Sequence, residues 1–291
     1  MTKKRELYID ADVLVYESAF AAQKTVYHYK DMVFKDAEAA KAYCVENELD
    51  YRTLRKEGEI TSDVQVLPEN VASNILRQKI ANIRNELVHG NWHLVLSGGD
   101  ENFRDEVAVT KKYKGNRENV PKPVHFDFVR SLVHGHEKTI CEPGIEADDV
   151  LGIALTQDPE AILASIDKDL CQIPGRHFDW NKGIKFFVKP SDALYFFHRQ
   201  LLMGDSTDNI PGIPGLGEKK AIALLAEYRT DPRMQWKLVV ATYKDSPLKF
   251  KDGTEVTLGR TEYLNEQGRL LWMMRQPDEV WTADYYEEVY V

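Results

Sequence analysis

Short apolar runs alternate with helical patterns over the first two thirds of the chain. Residues 69–87 and 148–156 have the apolar spacing of amphipathic helices. Four runs have the length of buried strands, and each leads into an acidic residue or a polar turn: 7–9, 93–96, 138–141 and 161–166. This alternation predicts an α/β fold with a mostly parallel central sheet flanked by helices. Ligands of such sheets bind beyond the carboxyl ends of the strands, which is where these acids fall.

Two regions depart from this alternation. Residues 21–66 are predicted to form an elaboration, with a hairpin at 25–34 and a short helix at 35–47. After about residue 191 the pattern becomes helical, and three further elements are predicted: a glycine- and proline-rich turn at 211–217, a hairpin at 250–257 and a helix at 262–274. The pattern assigns no role to the elaboration or to residues 226–291.

The composition is typical of a globular protein, with 43% hydrophobic and 29% charged residues. No apolar run reaches membrane-spanning length, and Asp10 and Asp12 interrupt the first one. We therefore expect no signal peptide, no membrane partner and a cytoplasmic location. The three widely spaced cysteines predict neither a disulfide framework nor a zinc site. The net charge of −9 disfavours binding to nucleic acid unless much of it is concentrated in one metal pocket.

Three carboxylates lie within four positions at the start of a predicted helix: Glu146, Asp148 and Asp149. Acids are common in the first turn of a helix because the helix dipole favours them, so these residues alone could be solvated capping groups. Two more acidic pairs at comparable junctions favour the alternative, which is a cluster of metal ligands.

The two further pairs follow a strand and a helix. Asp167 and Asp169 have the i, i+2 spacing that directs both side chains to one side of an extended chain. Asp205 and Asp208 have the i, i+3 spacing of one helix face. Oxygen ligands without His or Cys favour Mg²⁺ or Mn²⁺. Two such ions can activate water and stabilise the leaving oxygen of a phosphodiester.

A glycine-rich turn contains Gly212, Gly215 and Gly217 and is followed by Lys219 and Lys220. Glycines allow backbone N–H groups to approach a phosphate, and a helix N-terminus adds positive potential. The same composition is also typical of a plain turn, so both interpretations stay open here.

A basic run with an aromatic residue in its midst contains Lys112, Tyr113, Lys114 and Arg117, with Arg104 preceding it. Such a segment can pair with phosphates and stack on a base. The alternative is a solvated, charged helix face.

In their order these motifs resemble those of the 5′ nucleases, which comprise flap endonucleases, the 5′ nuclease domain of bacterial DNA polymerase I and phage 5′–3′ exonucleases. The matching segments span residues 7 to about 225: the strand ending at Asp10, Phe103-Arg104-Asp105-Glu106, Tyr113-Lys114 with Arg117, Glu146-Ala147-Asp148-Asp149, Asp167-Lys168-Asp169, and Gly204-Asp205-Ser206-Thr207-Asp208-Asn209 before a helix-hairpin-helix turn. The length and the C-terminal extension look most like the phage exonuclease branch.

The resemblance implies two metal sites and a path for DNA. One site would use Asp10, Asp100, Glu146 and Asp148, and the other Asp149, Asp167, Asp169 and Asp208, with Asp205 close by. Lys114 and Arg104 would contact the scissile phosphate, and Tyr113 would stack on a base at the 5′ end, with Lys112 and Arg117 also contacting DNA. A helical arch would fall at 101–142, and the hairpin at 211–220 would grip the duplex, in some members with a potassium ion.

The implied function is that of a 5′–3′ exodeoxyribonuclease with flap endonuclease activity on duplex or flapped DNA, acting as a monomer. An α/β catalytic domain would cover residues 1–190 and a helix-hairpin-helix DNA-binding region with a C-terminal extension residues 191–291. Asp10-Ala11-Asp12 replaces the usual Asp-Gly, and an ungapped alignment puts Ser97 rather than Asp100 at the ligand position. Two alternatives stay open: a related small RNA-cleaving nuclease, and a non-catalytic DNA-binding module whose acids hold a structural ion.

Overall fold

The computed structural model describes residues 4–99, 102–244 and 248–291, so the predicted ligand Asp100 lies outside the described residues. The strands are β1 Arg5–Asp10, β2 Gln23–Tyr29, β3 Met32–Phe34, β4 Ile60–Val66, β5 His89–Val95, β6 Thr139–Ile140, β7 Ile162–Ala164, β8 Gly175–Asp179, β9 Ile184–Val188, β10 Leu248–Lys249 and β11 Glu255–Val256. The α-helices are α1 Ala11–Ala21, α2 Ala37–Glu46, α3 Tyr51–Glu57, α4 Glu69–Glu86, α5 Phe103–Val107, α6 Phe126–His134, α7 Ala147–Gln157, α8 Pro190–Met203, α9 Glu218–Leu225, α10 Pro232–Thr242, α11 Arg260–Leu271 and α12 Ala283–Tyr290. Among the described residues no helix combines the length and apolar character needed to cross a membrane.

The chain divides into two compact units. The larger unit comprises Met1–Ala11, Leu87–Pro121 and Glu137–Val291, and the smaller unit comprises Asp12–Glu86 and Lys122–His136. The predicted domain boundary at residue 190 lies inside the larger unit, where α8 packs against α9, α10 and α11.

Six strands of the larger unit form one sheet in the order β6-β5-β1-β7-β8-β9. All neighbouring pairs are parallel except β8 and β9. Strand β1 lies inside the sheet, and its Leu7 and Ile9 are fully buried, which explains why this strand is an apolar run. The predicted α/β fold with a mostly parallel sheet is confirmed.

The smaller unit contains an antiparallel sheet in the order β3-β2-β4. Tyr29, Cys44 and Ile60 form its buried cluster. Helix α2 begins after Asp36, whose side chain accepts the backbone N–H of Ala39 at 2.8 Å. The hairpin and the short helix predicted within residues 21–66 are therefore confirmed.

Aromatic side chains from the C-terminal part of the chain fill a second core in the larger unit. Phe197 of α8 contacts Trp272, Trp281 and Tyr286, and Trp236 of α10 packs on Tyr286. All five are almost fully buried. Four aromatic residues from the region that the sequence pattern left without a role thus complete the core beneath α8: Trp236, Trp272, Trp281 and Tyr286.

A buried histidine lies within this aromatic core. The Nδ1–H group of His198 donates to Gln235 Oε1 at 2.8 Å, and the Tyr286 hydroxyl donates to His198 Nε2 at 2.9 Å. The Gln235 amide nitrogen donates to the carbonyl oxygens of Tyr228 and Arg229, which fixes Oε1 toward the imidazole. Burial lowers the pKa of His198 to about 4, so the neutral ring is the folded form.

Acidification is expected to destabilise the protein through this residue. In the unfolded chain a histidine protonates near pH 6.5, so between about pH 6.5 and pH 4 the unfolded state binds more protons and the free energy of unfolding falls by up to about 3 kcal/mol. Urea denaturation at a series of pH values measures this loss. The variant His198→Gln should show a shallower decline than the wild type, and an identical decline would contradict the prediction.

Candidate active site

The centre of the site is an acidic cluster at the carboxyl edge of the larger unit's sheet. Asp10 is the last residue of β1, and Asp148 lies in the first turn of α7. Burial raises the pKa of Asp148 well above its usual value, and the negative charges of Asp10, Asp167 and Glu146 raise it further. The structure thus brings together acids from three distant parts of the chain.

Ser165 joins two members of this cluster. Its hydroxyl donates to Asp10 Oδ2 at 2.7 Å and accepts the backbone N–H of Asp167 at 2.9 Å. Sequence reasoning missed this residue, although it stands two positions before Asp167 in the motif. A hydroxyl beside a pair of acids was the available signal.

A second acidic group lies beyond β7 and α8. Burial raises the pKa of Asp169 to about 7, with further contributions from the charges of Asp167, Asp205 and Asp208. Burial also raises the pKa of the Asp208 carboxyl group, and the positive charge of Lys114 opposes this shift. The two predicted acidic pairs therefore meet each other in the fold.

The predicted conformations of both pairs are wrong. Asp169 begins a 3₁₀ turn rather than continuing a strand, and its N–H donates to Asp167 Oδ1 at 2.8 Å. Helix α8 ends at Met203, and Asp205 exchanges backbone hydrogen bonds with Ile210 at 2.8 and 2.7 Å, so Asp205 and Asp208 lie in a turn. These turns bring the carboxylates of the two pairs together, whereas the sequence had predicted that the periodicity of a strand and of a helix would do so.

Three residues of the basic run contact the acids directly. The Tyr113 hydroxyl donates to Glu146 Oε2 at 2.9 Å and lies 3.2 Å from Asp208 Oδ2, so it links the two groups. Lys114 forms an ion pair with Glu146, and Arg117 forms one with Asp208. Tyr113 is only 5% exposed, which differs from the prediction that its ring is available to stack on a base.

The backbone holding these residues is strained at two places. Lys114 and Asn209 have φ angles of 51° and 60°, in the left-handed region of backbone conformation that residues other than glycine rarely adopt. The Lys114 N–H donates to Asp208 O at 2.9 Å, and the Asn209 amide donates to Lys112 O at 2.8 Å. The Lys112 side chain is mostly exposed and pairs with Glu118. Strain of this kind persists where neighbouring contacts fix the backbone, often at functional sites.

Arg104 and Asp149 are placed differently from the prediction. Arg104 is 2% exposed and Asp149 0%, and the guanidinium donates to both carboxylate oxygens at 2.7 and 2.9 Å. Arg104 also donates to Leu270 O at 3.0 Å and Trp272 O at 2.8 Å, and the Met274 N–H donates to Asp149 at 3.0 Å. This bidentate pair faces the end of α11 inside the protein, where the guanidinium of Arg104 is directed at Asp149 and at backbone carbonyl oxygens.

The donor chemistry of the acidic groups suits hard divalent cations, since the ligands are carboxylate oxygens. Within residues 4–99, 102–244 and 248–291 no three or more His, Cys, Asp or Glu side chains are already arranged around one point as metal ligands. Glu146 instead accepts from Arg104, Tyr113 and Lys114, and Asp10 accepts from Ser165. The predicted ligand sets therefore stay predictions.

Of the two alternative ligands that the sequence raised, Ser97 lies within the described residues. The Ser97 hydroxyl accepts the Ala147 N–H at 2.9 Å, which ties the end of β5 to the start of α7. Asn102, which the sequence did not suggest, donates to Glu146 at 3.4 Å. Asp100 lies outside the described residues, so the choice between Ser97 and Asp100 is not tested.

The glycine-rich turn joins α8 to α9 as a helix-hairpin-helix. Gly212 and Gly215 have φ angles of 63° and 74°, and a Cβ at Gly212 would lie 2.2 Å from Gly204 N. Lys220 caps the turn by donating to Gly215 O at 2.8 Å, whereas Lys219 is exposed at the start of α9.

The chain is similar in sequence to proteins named as exonucleases and as DNA polymerase I. It is 33% identical over 140 residues to the exonuclease of Escherichia phage T7, covering 45% of this chain and 46% of that one. It is 32% identical over 158 residues to a 5′-3′ exonuclease of Buchnera aphidicola, covering 46% and 52%. Over 181 residues it is 30% identical to Pseudomonas aeruginosa DNA polymerase I, covering 54% and 19%.

The alignments span about half the length of the two exonucleases and a smaller part of the polymerase. No family model matches the chain. The fold is similar to that of the T5 D15 protein, co-crystallised with metal ions, with a TM-score of 0.50 and 15% identity over 92% of this chain and 86% of that chain. The resemblance to 5′ nucleases predicted from the sequence is confirmed.

Proposed function

We propose that the chain is a divalent-metal-dependent 5′–3′ exodeoxyribonuclease with structure-specific flap endonuclease activity. It would act in the cytoplasm as a monomer on duplex or flapped DNA and hydrolyse phosphodiester bonds near a 5′ end. One observation carries the proposal: carboxylates from β1, α7 and the turns after β7 and α8 meet opposite the cationic groups of Lys114 and Arg117.

Two Mg²⁺ or Mn²⁺ ions would be held by the two acidic groups. One group is Asp10, Glu146 and Asp148, and the other is Asp167, Asp169, Asp205 and Asp208. When bound, such a pair supplies an activated water and stabilises the leaving oxygen of a phosphodiester. The mutual repulsion around Asp148 and Asp169 supports this assignment, because bound cations offset negative charge that burial and like neighbours make unfavourable.

Lys114 would contact the scissile phosphate. Burial opposes its charged form, but Glu146 and Asp208 outweigh burial and raise the pKa of Lys114, so the ammonium group is protonated at neutral pH. A substrate phosphate can replace Glu146 as the partner of this ammonium group. A preorganised donor at such a place commonly lowers a barrier by about 3–4 kcal/mol. Arg117, half exposed and paired with Asp208, would serve a neighbouring phosphate.

Arg104 and Asp149 receive a positioning role in place of direct contact with phosphate and metal. Arg104 also donates to Glu146 Oε2 at 3.1 Å, so the buried pair joins α5, α7 and the end of α11 to one member of the acidic cluster. Tyr113 would likewise position Glu146 and Asp208 through its hydroxyl. The helix-hairpin-helix turn would grip the duplex backbone, with a potassium ion as in some members of the class.

Cleavage assays test the proposal on 5′-labelled flapped, nicked and blunt DNA duplexes, with matched RNA as a further substrate. We expect short labelled products from DNA in the presence of Mg²⁺ or Mn²⁺ and none after addition of a chelator. The wild type assayed with calcium in place of magnesium controls for effects of cation charge on DNA binding.

Two outcomes would contradict the proposal. Cleavage of RNA with intact DNA would indicate the related RNA-cleaving nucleases. Retardation of DNA in a gel with no product under any metal would indicate a DNA-binding module whose acids hold a structural ion.

A further inference from the structure

A cleft of about 670 Å³ lies between the helix-hairpin-helix turn and the hairpin formed by β10 and β11, both in the larger unit. One wall is the turn, which includes Ile213, Gly215 and Gly217, and the other wall includes Lys249 and Lys251. The first wall exposes backbone N–H groups at the start of α9. The second wall carries the ammonium groups of lysines, whose side chains are flexible. Neither the acidic cluster nor the basic run lines this cleft.

The hairpin wall is a fixed part of the fold. The Phe250 N–H donates to Thr254 O at 2.8 Å, and the Thr254 N–H donates to Asp252 Oδ1 at 3.0 Å, which closes the turn. Phe250 also packs against the same buried cluster as Ile213 and Leu216 of the opposite wall. One core therefore holds both walls.

The acids next to the cleft are paired, while several lysines are exposed. Asp252, which itself lines the cleft, forms an ion pair at 2.5 Å with Lys111, which does not line it. Lys219 and Lys251 are exposed and form no ion pair with another described residue, and Lys249 pairs with Glu255 at a largely exposed position. Exposed pairs of this kind contribute little and are easily exchanged for a phosphate. Two lysines, Lys249 and Lys251, and one acid, Asp252, line the cleft, so the charge of its lining is net positive in a chain of net charge −9.

We propose that this cleft binds the phosphodiester backbone of duplex DNA, so that the hairpin of β10 and β11 extends the contact made by the helix-hairpin-helix turn to further phosphates. The inference rests on the proposed function and deepens it. Single strands are bound by aromatic platforms on which bases stack. Among the described residues that line the cleft, the one aromatic ring is that of Phe250, which is half-buried and has the Lys111 ammonium group 5.4 Å from its centre. Recognition of the phosphodiester backbone is therefore favoured over stacking of bases.

The test is the salt dependence of DNA binding. The double variant Lys249→Gln/Lys251→Gln should reduce the slope of log K against log salt concentration by about 2 for a blunt duplex, because each lost phosphate contact removes about 0.9 of a released counterion. Fluorescence anisotropy in a chelator measures this binding without cleavage. The matched control is Lys182→Gln/Lys185→Gln, which removes the same charge near the hairpin of β8 and β9 in the same unit and should keep the wild-type slope.

Three results would overturn the inference. They are an unchanged slope in the cleft variant, an equal loss in the control variant, and an equal loss for a single strand of the same sequence. Thermal unfolding of both variants checks that the exposed substitutions leave the fold intact. The proposed function fails separately, if the wild type cleaves no DNA with Mg²⁺ or Mn²⁺, since the salt slope is measured without turnover.

Discussion

Replacing Asp148 with asparagine is expected to lower cleavage of 5′-labelled duplex DNA by at least about a hundredfold, a loss that removal of one preorganised electrostatic group commonly causes. The carboxylate of Asp148 is buried among Asp10, Asp167 and Glu146, so it is the group on which the first proposed metal site depends most. The same repulsion predicts that, without metal, the variant is at least as stable as the wild type. Activity and stability should therefore move in opposite directions.

The control is Asp284→Asn, because Asp284 occupies the equivalent second position of α12 but is exposed. Cleavage rates with Mg²⁺, anisotropy with duplex DNA in a chelator and thermal unfolding complete the measurement. A variant Asp148→Asn that cleaves at the wild-type rate would exclude Asp148 from the chemistry. A large loss of stability of this variant without metal would show that other groups of the protein already stabilise the negative charge of Asp148.

Removing one partner of the buried pair of Arg104 and Asp149 is expected to destabilise the fold strongly. Arg104→Met leaves the Asp149 carboxylate buried without its guanidinium, and the free energy of unfolding should fall by about 3–5 kcal/mol. The double variant Arg104→Met/Asp149→Leu removes both charges and should recover much of the loss. In the double variant kcat should stay reduced, because Glu146 and the end of α11 lose their common anchor, while KM changes little.

The matched control is the exposed ion pair of Arg229 and Asp192, whose atoms are 2.8 Å apart and whose coupling should not exceed about 1 kcal/mol. Urea denaturation of the single and double variants of both pairs gives the coupling energies. If Arg104 contacts phosphate directly, Arg104→Met will retain wild-type stability and raise KM. That result would restore the original prediction for Arg104 and contradict the positioning role.

The chain pattern predicted the elements that position the site. The apolar run at residues 7–9 forms the inner strand β1, and the acidic motif starts α7, because strands buried on both faces and helix first turns leave local signatures. The hairpins at 25–34 and 250–257 were also predicted, because the turn between two short strands leaves a local signature in the sequence as well. Spacing was a poorer guide to conformation at Asp167 and Asp205, where tight turns replace the expected strand and helix.

The sequence by itself determined that carboxylates would gather at one edge of a parallel sheet, because strand direction and residue order are encoded locally. Only the tertiary structure decided which charge meets which. Arg104 bonds to carbonyls 166 and 168 positions away, and Tyr113 joins Glu146 to Asp208 across 33 and 95 positions. These pairings depend on burial, because a charge removed from water is stable only beside an opposite charge. The packing of the chain decides which opposite charges come close enough.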